Sequence, residues 1–302
     1  LRAANASNKF SSISIASPNI NEKKISNRYF KFQNYINALN KNDYDMITVA
    51  TKPQIQHELV NFLYKNNKIP KYLFLEKPIL NNTIKILKKF KKNNFFLTNF
   101  IFTFDKSWKK FFHISNNNNN YLSINYKWYF EQAFFQNFKK TWKINENEGG
   151  GLVSFYLSHV IFNLLNINTD LDFNKVLYKK FYRKKLVFLD LSFLLNKKIC
   201  KILISNKSKT RIHQVELIYK SKKIELKNSS KNWIKGFRII SEKKKNFNTN
   251  FENNDPSGRV SILLDVYSNL NKYYNIKFIE NNNRLTYKTF EIINKINNQV
   301  KK

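Results

Sequence analysis

The stretch "MITVATKPQIQHELVNFLYKNNKIPKYLFLEKPIL", residues 46–80, has the pattern of a strand, a helix and a second strand. "MITVAT" (46–51) and "KYLFLEKPI" (71–79) are continuous apolar runs, which is typical of strands buried on both faces. The segment between them, 53–67, places apolar side chains at the spacing of a helix. These side chains are Ile55, Leu59, Phe62 and Leu63. The order of the three segments predicts two parallel strands joined by a helix.

The flanking sequence repeats this alternation. "FSSISIASPN" (10–19) predicts a strand that ends in a Ser-Pro-Asn turn, and residues 28–45 predict a short strand or turn followed by a helix. Residues 82–94 predict another helix, and "FFLTNFIFTF" (95–104) predicts a further strand. In the helix at 82–94, the side chains predicted to face inward are Ile84, Leu87 and Phe90. The alternation favours a parallel, doubly wound sheet.

After about residue 98 the pattern changes to strands separated by short turns. Such strands are typical of a mixed or antiparallel sheet, and Lys220-Ser221-Lys222 reads as a hairpin turn. The predicted strands are 121–130, 186–195, 198–206, 212–220 and 222–228, with helices over 260–275 and 286–302, a loop tip at Asn116–Asn120 and a structureless segment at 241–259. We therefore predict an α/β protein with a Rossmann-like domain at 1–98 and a mixed α+β domain, with a largely antiparallel sheet, at 99–302.

The chain carries a net charge of +34, which by itself indicates a nucleic-acid-binding protein. However, Lys dominates the positive charge and is spread from end to end, whereas nucleic-acid readers tend to cluster their charge and to use Arg. Lys, Asn, Ile, Phe and Tyr are abundant and Gly and Pro are scarce, as expected of AT-rich codons. We therefore favour codon bias over nucleic-acid binding, and we expect clefts in the protein to attract anions.

The single cysteine, Cys200, excludes an internal disulfide and a cysteine-based metal site. It fits a reducing, cytoplasmic location, and we predict no metal site. The start of the chain, "LRAANASNKF", lacks the pattern of a signal peptide. Residues 149–169 carry no charged side chain, but glycines, His159 and asparagines interrupt the apolar run. A buried helix is therefore expected there, and not a membrane span.

Three motifs stand in order along the chain: Ala50-Thr51-Lys52-Pro53, Glu76-Lys77-Pro78, and Gly149-Gly150-Gly151 followed by His159. Together they resemble the Gfo/Idh/MocA family of two-domain NAD(P)-dependent sugar oxidoreductases, over nearly the whole length. That family has a strand ending in Ala-Thr-Pro-Pro, a later strand ending in Glu-Lys-Pro, and a Gly-Gly-initiated helix that carries Asp and then His. Each motif alone is weak, whereas three in order are fairly specific.

The resemblance implies roles for individual residues. Lys77 would orient the substrate oxygen and stabilise a developing alkoxide, a cis bond at Pro78 would aim Lys77, and His159 would exchange the hydroxyl proton. The residues implied in cofactor binding are Ser17, Thr51, Pro53, Gln56, Glu76 and Pro78. Those implied in substrate binding are Trp142, Lys143 and Tyr156. Without the motifs, Thr51 reads as part of a turn, Lys77 as a surface lysine, His159 as a core histidine and Trp142 as a core or interface residue.

The sequence departs from the family pattern at several places. Phe155 stands where the family has an Asp four residues before the His, and a phenyl ring accepts no hydrogen bond. Tyr156, three residues before His159, is a candidate substitute. Gln56 stands where many members have His. We expect the glycine triplet to let the backbone pass close to the substrate and to begin the helix that carries His159.

The largest departure is the absence of any glycine before Gly149, and hence of the Gly-x-Gly-x-x-Gly loop that holds a pyrophosphate. "LRAANA" resembles the end of the helix that follows this loop, so we expect the chain to be a fragment. Ser17 stands where NAD-preferring sites usually have Asp or Glu. With Lys23 and Lys24 nearby, it favours NADP slightly over NAD.

The sequence thus predicts hydride transfer between NAD(P) and a sugar or sugar-derived hydroxyl or carbonyl group. A catalytically degenerate relative that binds the ligand without turnover is the alternative, because of Phe155. A basic nucleic-acid-binding protein is the less favoured third possibility. The family also implies a homo-oligomer.

Overall fold

The computed structural model describes residues 1–21, 26–90, 95–137, 141–228, 230, 234, 236–241 and 258–301. Lys23, Lys24 and most of the segment predicted to be structureless lie outside these residues. The chain packs as two compact units. The first comprises Leu1–Asn99 and Leu263–Asn283, and the second comprises Phe100–Ile262 and Arg284–Lys302. These units are defined by packing, and the domain limits 1–98 and 99–302 stay a prediction.

The first unit contains two parallel sheets, as the alternation of strands and helices predicts. One sheet pairs two short strands, and the other has three strands in the order β3-β4-β5. The strands are β1 (Ser14–Ala16), β2 (Phe30–Phe32), β3 (Met46–Val49), β4 (Tyr72–Glu76) and β5 (Phe95–Asn99). The helices are α1 (Arg2–Ala6), α2 (Tyr35–Lys41), α3 (Pro53–Lys65) and α4 (Asn81–Leu87).

Helix α3 buries a face one position away from the predicted one. Pro53 is its first residue, where the missing N–H of proline costs nothing. The buried side chains of α3 are Pro53, Gln56, Leu59, Val60 and Leu63, whereas Ile55 is exposed. The prediction that Ile55 faces inward was therefore wrong, and the polar Gln56 takes a core position. Similarly, α4 ends at Leu87, and Phe90 stacks on Tyr64 beyond the helix.

The second unit is built on a seven-stranded sheet in the order β12-β11-β10-β6-β9-β8-β7. Neighbouring strands are antiparallel except for β6 and β9, which are parallel. Its strands are β6 (Ser123–Glu131), β7 (Leu171–Tyr182), β8 (Lys185–Leu195), β9 (Lys198–Ser205), β10 (Lys207–Ile218), β11 (Lys223–Asn228) and β12 (Arg238–Ser241). The largely antiparallel sheet and the hairpin at Lys220-Ser221-Lys222 were predicted, whereas β7 and β12 were not.

The helices of the second unit precede β6 or lie between β6 and β7 in the chain, apart from those of the C-terminal segment. They are α5 (Lys106–Asn117), α6 (Ala133–Asn137) and α7 (Ser158–Ile167), with 3₁₀ turns at Ile101–Phe104, Trp142–Ile144 and Glu146–Glu148 and a π-helix at Leu152–Leu157. Helix α5 was not predicted, and Asn116 and Asn117 end it and are not part of a loop tip. Along β6, the alternate residues Ile124, Tyr126 and Trp128 are buried, which is the two-residue period of a strand with one face in the core.

The C-terminal segment forms α8 (Arg259–Ser268), α9 (Leu270–Tyr273) and α10 (Ile276–Lys301). Part of it packs within the first unit: the Tyr267 hydroxyl bonds Thr48 at 3.2 Å, and Asn282 Oδ1 accepts the Thr98 N–H at 3.1 Å. Thr98 lies on β5, an edge strand, so this asparagine satisfies a backbone donor that would otherwise lack a partner. Among the described residues, no helix has the length and apolarity needed to cross a membrane.

Asp105 begins helix α5 and lies buried. Its Oδ1 accepts the backbone N–H groups of Ser107 at 2.9 Å and Trp108 at 3.0 Å, the bonds of an N-cap. Burial raises the pKa of this carboxyl to about 6, although the two backbone hydrogen bonds and Lys109 and Lys106 act in the opposite direction.

The raised pKa predicts how stability depends on pH. Between pH of about 4, the unfolded value, and about 6, the folded state binds more protons than the unfolded state, so stability falls as pH rises. Asp105→Asn keeps a capping oxygen and removes the dependence of stability on pH. Asp105→Ala loses the cap, and we expect its free energy of unfolding to fall by about 1 kcal/mol. Thermal unfolding of the three proteins at pH 5 and pH 7 tests this. Equal losses of thermal stability in Asp105→Asn and Asp105→Ala would contradict the prediction.

Candidate functional site

In the first unit, Lys77 follows strand β4 at the carboxyl end of the parallel sheet. The Lys77–Pro78 peptide bond is cis, as the resemblance implies. Lys77 is only 4% exposed, and Pro78 is also buried. The reading of Lys77 as an ordinary surface lysine was therefore wrong. In open parallel sheets, ligands bind beyond the carboxyl ends of the strands, and Lys77 directly follows the last residue of β4.

Two amide side chains hold the residue that precedes Lys77. Gln56 Nε2 donates to the Glu76 carbonyl oxygen at 2.5 Å, and Asn99 Nδ2 donates to Glu76 Oε1 at 2.8 Å. Asn99 is the register partner of Glu76 on the neighbouring strand β5. Glu76 is thus fixed through both its backbone and its side chain. Sequence reasoning missed Asn99, because the predicted strand ran on to residue 104, whereas β5 ends at Asn99.

The same two amides carry oxygens that lack a hydrogen-bond partner within the described structure. Gln56 is 1% exposed and Asn99 is 3% exposed, and Gln56 Oε1 and Asn99 Oδ1 are both buried. A buried acceptor without a partner costs free energy, of the order of 1–3 kcal/mol. A ligand that brings N–H or O–H donors to this edge would recover that cost.

The other predicted cofactor residues lie at strand or helix ends. Thr51 is exposed after β3, and its hydroxyl donates to the Lys52 carbonyl at 3.3 Å. Pro53 is buried at the start of α3. Ser17 follows β1, and its N–H donates to the Phe32 carbonyl at 3.0 Å. The structure joins Gln56 to the Glu76-Lys77-Pro78 segment by a hydrogen bond.

In the second unit, the glycine triplet forms a turn that closes on the chain itself. Gly149 and Gly151 have φ values of +81° and +80°, which residues with a Cβ atom rarely adopt. A Cβ at Gly150 would lie 2.3 Å from the Trp142 carbonyl oxygen. A side chain does not fit, as expected, but the close approach is to the backbone of Trp142 and Lys143. This internal contact is enough to exclude a side chain at residue 150, and the expected approach to the substrate stays a prediction.

The helix that follows is irregular at its start. Residues Leu152–Leu157 form a π-helix, and Ser158–Ile167 continue as α7. The sequence predicted an ordinary helix here. Turns of π-helix are rare in proteins, but those that occur are frequently found at functional sites.

His159 lies in an aromatic box at the start of α7. It is 5% exposed, and its ring centroid lies 5.1 Å from that of Phe102, 5.9 Å from Phe100 and 6.0 Å from Trp128. All three rings meet the imidazole at steep angles, between 66° and 84°. The orientation of His159 is therefore restricted by packing.

Phe155 brings the three predicted substrate residues together. Its ring lies 5.4 Å from Trp142 and 4.9 Å from Tyr156, and the Lys143 ammonium lies 5.2 Å from its centroid. These four side chains are half-buried. Burial raises the pKa of Tyr156, so its phenol keeps its proton near neutral pH and acts only as a hydroxyl group. Tyr156 therefore offers a neutral hydroxyl group and no negative charge, and its role as a substitute for the family's Asp stays a prediction.

Within the described part of the chain, no group of three or more His, Cys, Asp or Glu side chains could hold a metal ion. Cys200 is buried, and burial raises the pKa of its thiol.

Comparison with protein-family models found no match, and comparison with curated proteins found none. Solved structures match over nearly the whole chain. A dehydrogenase (MviM) from Clostridium difficile is 17% identical with a TM-score of 0.63, and the match covers 90% of this chain and 84% of that one. An oxidoreductase from Thermotoga maritima is 12% identical with a TM-score of 0.74, covering 97% and 90%.

A third match is KijD10, a 3-ketoreductase from Actinomadura kijaniata solved with NADP and TDP-benzene. It is 12% identical with a TM-score of 0.74, and the match covers 98% of this chain and 92% of that one. The likeness shows the fold. The chain has the mixed α/β, two-domain fold of these oxidoreductases, and the predicted fold class is confirmed. The resemblance to the Gfo/Idh/MocA enzymes is confirmed at the level of the fold.

The closed turn at the glycine triplet leads to a prediction. Gly150→Ala places a Cβ against the Trp142 carbonyl, so we expect a loss of about 3 kcal/mol in the free energy of unfolding. Gly149→Ala is the control, since it adds only the cost of a positive φ, about 1 kcal/mol. Urea unfolding measures both. Equal losses would show that the contact with Trp142 does not restrict residue 150.

Proposed function

We propose that this protein is an NAD(P)-dependent oxidoreductase that acts on a sugar or sugar-derived hydroxyl or carbonyl group. The observation that carries the proposal is the burial of Lys77. It is the only buried lysine among the described residues of a very lysine-rich chain. Burying an ammonium group is costly, and its place beyond a parallel strand, in a fold shared with dehydrogenases, supports a catalytic role.

The polar groups around Lys77 fit the nicotinamide end of such a cofactor. The unpaired oxygens of Gln56 and Asn99 are acceptors for carboxamide N–H donors. Thr51, Pro53 and Pro78 would border the cofactor, and Ser17 would face the ribose. The chain has no glycine before Gly149 to form a pyrophosphate-binding loop, so the fit covers the nicotinamide end only. The NADP bound by KijD10 supports a slight preference for NADP.

A bound nicotinamide would supply the hydride acceptor for a carbinol carbon or the hydride donor for a carbonyl carbon. The Lys77 ammonium orients the reacting oxygen and stabilises the alkoxide as charge develops. His159 accepts the hydroxyl proton on oxidation and returns it on reduction. Trp142, Phe155 and Tyr156 offer aromatic faces to the C–H face of a sugar ring, and Lys143 adds positive charge beside them.

A ligand-binding relative without turnover is the second candidate, and Phe155 is the observation that favours it. Phe155 contacts Trp142, Lys143 and Tyr156 but supplies no carboxylate for His159. This candidate predicts that NADPH or a sugar nucleotide binds while no hydride is transferred.

We also propose that the protein forms a homo-oligomer. Strand β7 exposes four large side chains, Leu177, Tyr178, Phe181 and Tyr182. Exposed apolar surface of this kind is typical of contacts between proteins. Sedimentation velocity tests the proposal, and a single species at the monomer mass of 36.2 kDa would contradict it.

Lys77→Met tests the proposed reaction. The variant keeps an unbranched side chain, one heavy atom shorter than that of lysine, and removes its charge. We therefore expect kcat/KM to fall about 100-fold, the usual effect of losing one group that stabilises an oxyanion. NADPH oxidation by the whole chain is followed at 340 nm against a panel of keto sugars and sugar nucleotides. Lys71→Met is the matched control, because Lys71 is exposed at the other end of the same strand.

Three outcomes separate the candidates. Turnover whose kcat/KM falls about 100-fold in Lys77→Met and is unchanged in Lys71→Met supports the oxidoreductase. NADPH binding by fluorescence titration without turnover supports the non-catalytic relative. Wild-type turnover in Lys77→Met would overturn the role of Lys77.

A further inference from the structure

Three buried polar side chains form a hydrogen-bonded chain in the core of the second unit. Asn163 Nδ2 donates to the Tyr126 hydroxyl at 3.2 Å, and the same hydroxyl lies 2.7 Å from His213 Nε2. Tyr126 and Asn163 are fully inaccessible to solvent, and His213 is 3% exposed. Polar groups at this depth are costly unless they are paired, so the chain of bonds restricts all three side chains.

The topology explains why these residues meet. Tyr126 lies on β6 and His213 on the antiparallel neighbour β10, where Trp128 is the register partner of His213. Tyr126 is therefore diagonal to His213 on the same inward face of the sheet. Asn163 reaches the pair from α7. It lies four residues after His159, on the same face of that helix.

The direction of the hydrogen bonds follows from the chemistry of the groups. Because Asn163 Nδ2 is a donor, the Tyr126 oxygen accepts from it and its own proton is available to His213. Burial raises the pKa of Tyr126 and lowers the pKa of His213 to about 3. At neutral pH the phenol therefore keeps its proton and the imidazole is neutral. His213 Nε2 is then the acceptor, and the ring proton is on Nδ1.

This polar chain is linked to His159 through two aromatic rings. The Trp128 ring stacks on His213, with centroids 4.6 Å apart and an angle of 9° between planes, and meets His159 at 6.0 Å. Phe102 lies 4.9 Å from His213 and 5.1 Å from His159. Displacement of His213 would therefore move two of the three rings that border His159. The bond from Asn163 gives a second connection, through one turn of helix α7.

We propose that Tyr126 and His213 are positioning residues that set the orientation of His159. They do so by anchoring helix α7 at Asn163 and by fixing the rings of Trp128 and Phe102. The inference rests on the proposed function, in which His159 exchanges the substrate proton. It adds two residues, Tyr126 and His213, that belong to none of the three sequence motifs.

The test uses the imidazole resonances of the whole chain, which contains only four histidines. Spectra of ¹³C,¹⁵N-histidine-labelled protein are assigned with His159→Gln and His213→Gln. In the wild type, we expect the ¹⁵N shifts of His213 to show the Nδ1–H tautomer at neutral pH. Tyr126→Phe removes only the hydroxyl group, and we expect it to alter the His213 tautomer signal and to shift the His159 ring resonances.

Tyr219→Phe is the matched control. Tyr219 is a buried tyrosine of the same unit whose hydroxyl donates to the Asn118 carbonyl at 2.9 Å, so its loss also removes one hydrogen bond. We expect this variant to leave both histidines unchanged. A second variant, Asn163→Leu, removes the hydrogen bond from α7 to Tyr126 and fills the buried site with an apolar side chain. It is used if Tyr126→Phe does not fold. It should shift His159 as well.

Unchanged His159 resonances in folded Tyr126→Phe or Asn163→Leu would overturn the proposal, as would equal shifts in Tyr219→Phe. The NMR readout needs no substrate, so it is independent of the proposed function. If turnover is found, Tyr126→Phe should lower kcat about 10-fold with little change in KM, because the proton-transfer group is misplaced. Wild-type turnover in His159→Gln would refute the catalytic role of His159 but leave its positioning by Tyr126 intact.

Discussion

Helix α7 is buried along nearly its whole length, and this constraint shapes the second unit. Every residue from Ser158 to Leu165 is buried, and Ile167 as well. A helix in this position tolerates no charge, since an unpaired charge in the core is far more costly than an apolar side chain. This explains the absence of charged residues from 149 to 169. It also means that each polar side chain of α7 requires a partner, and Asn163 finds one in Tyr126.

The start of the same helix is set by a second steric constraint. The Gly150 backbone lies against the carbonyl groups of Trp142 and Lys143, so the segment 142–151 folds back on itself before the π-helix begins. That fold places Trp142 and Lys143 against Phe155. The contacts of Trp142 and Lys143 with Phe155, at the entry to α7, therefore depend on a turn that requires glycine at residue 150.

In the first unit, the equivalent constraint is electrostatic. The chain has 54 Lys and Arg residues, and among those described Lys77 is the lysine taken out of water. The segment that carries it is fixed by Gln56 and Asn99, each of which binds a different oxygen of Glu76. Gln56 can do so because α3 turns it inward, in place of Ile55. The polar residue Gln56 thus occupies a core position of α3 because it binds the end of strand β4.

The sequence by itself determined the fold class and the candidate lysine and histidine. Apolar runs, helical spacing and turn residues report the order of strands and helices, because these patterns follow from which side chains are buried. Asn99, Tyr126 and His213 could not be found in this way. Their roles depend on register across neighbouring strands and on the face that a helix presents, which only the tertiary structure decides. Gln56 and the glycine triplet stood out in the sequence, but their contacts, with the Glu76 carbonyl and with the backbone of residues 142 and 143, leave no periodic trace there.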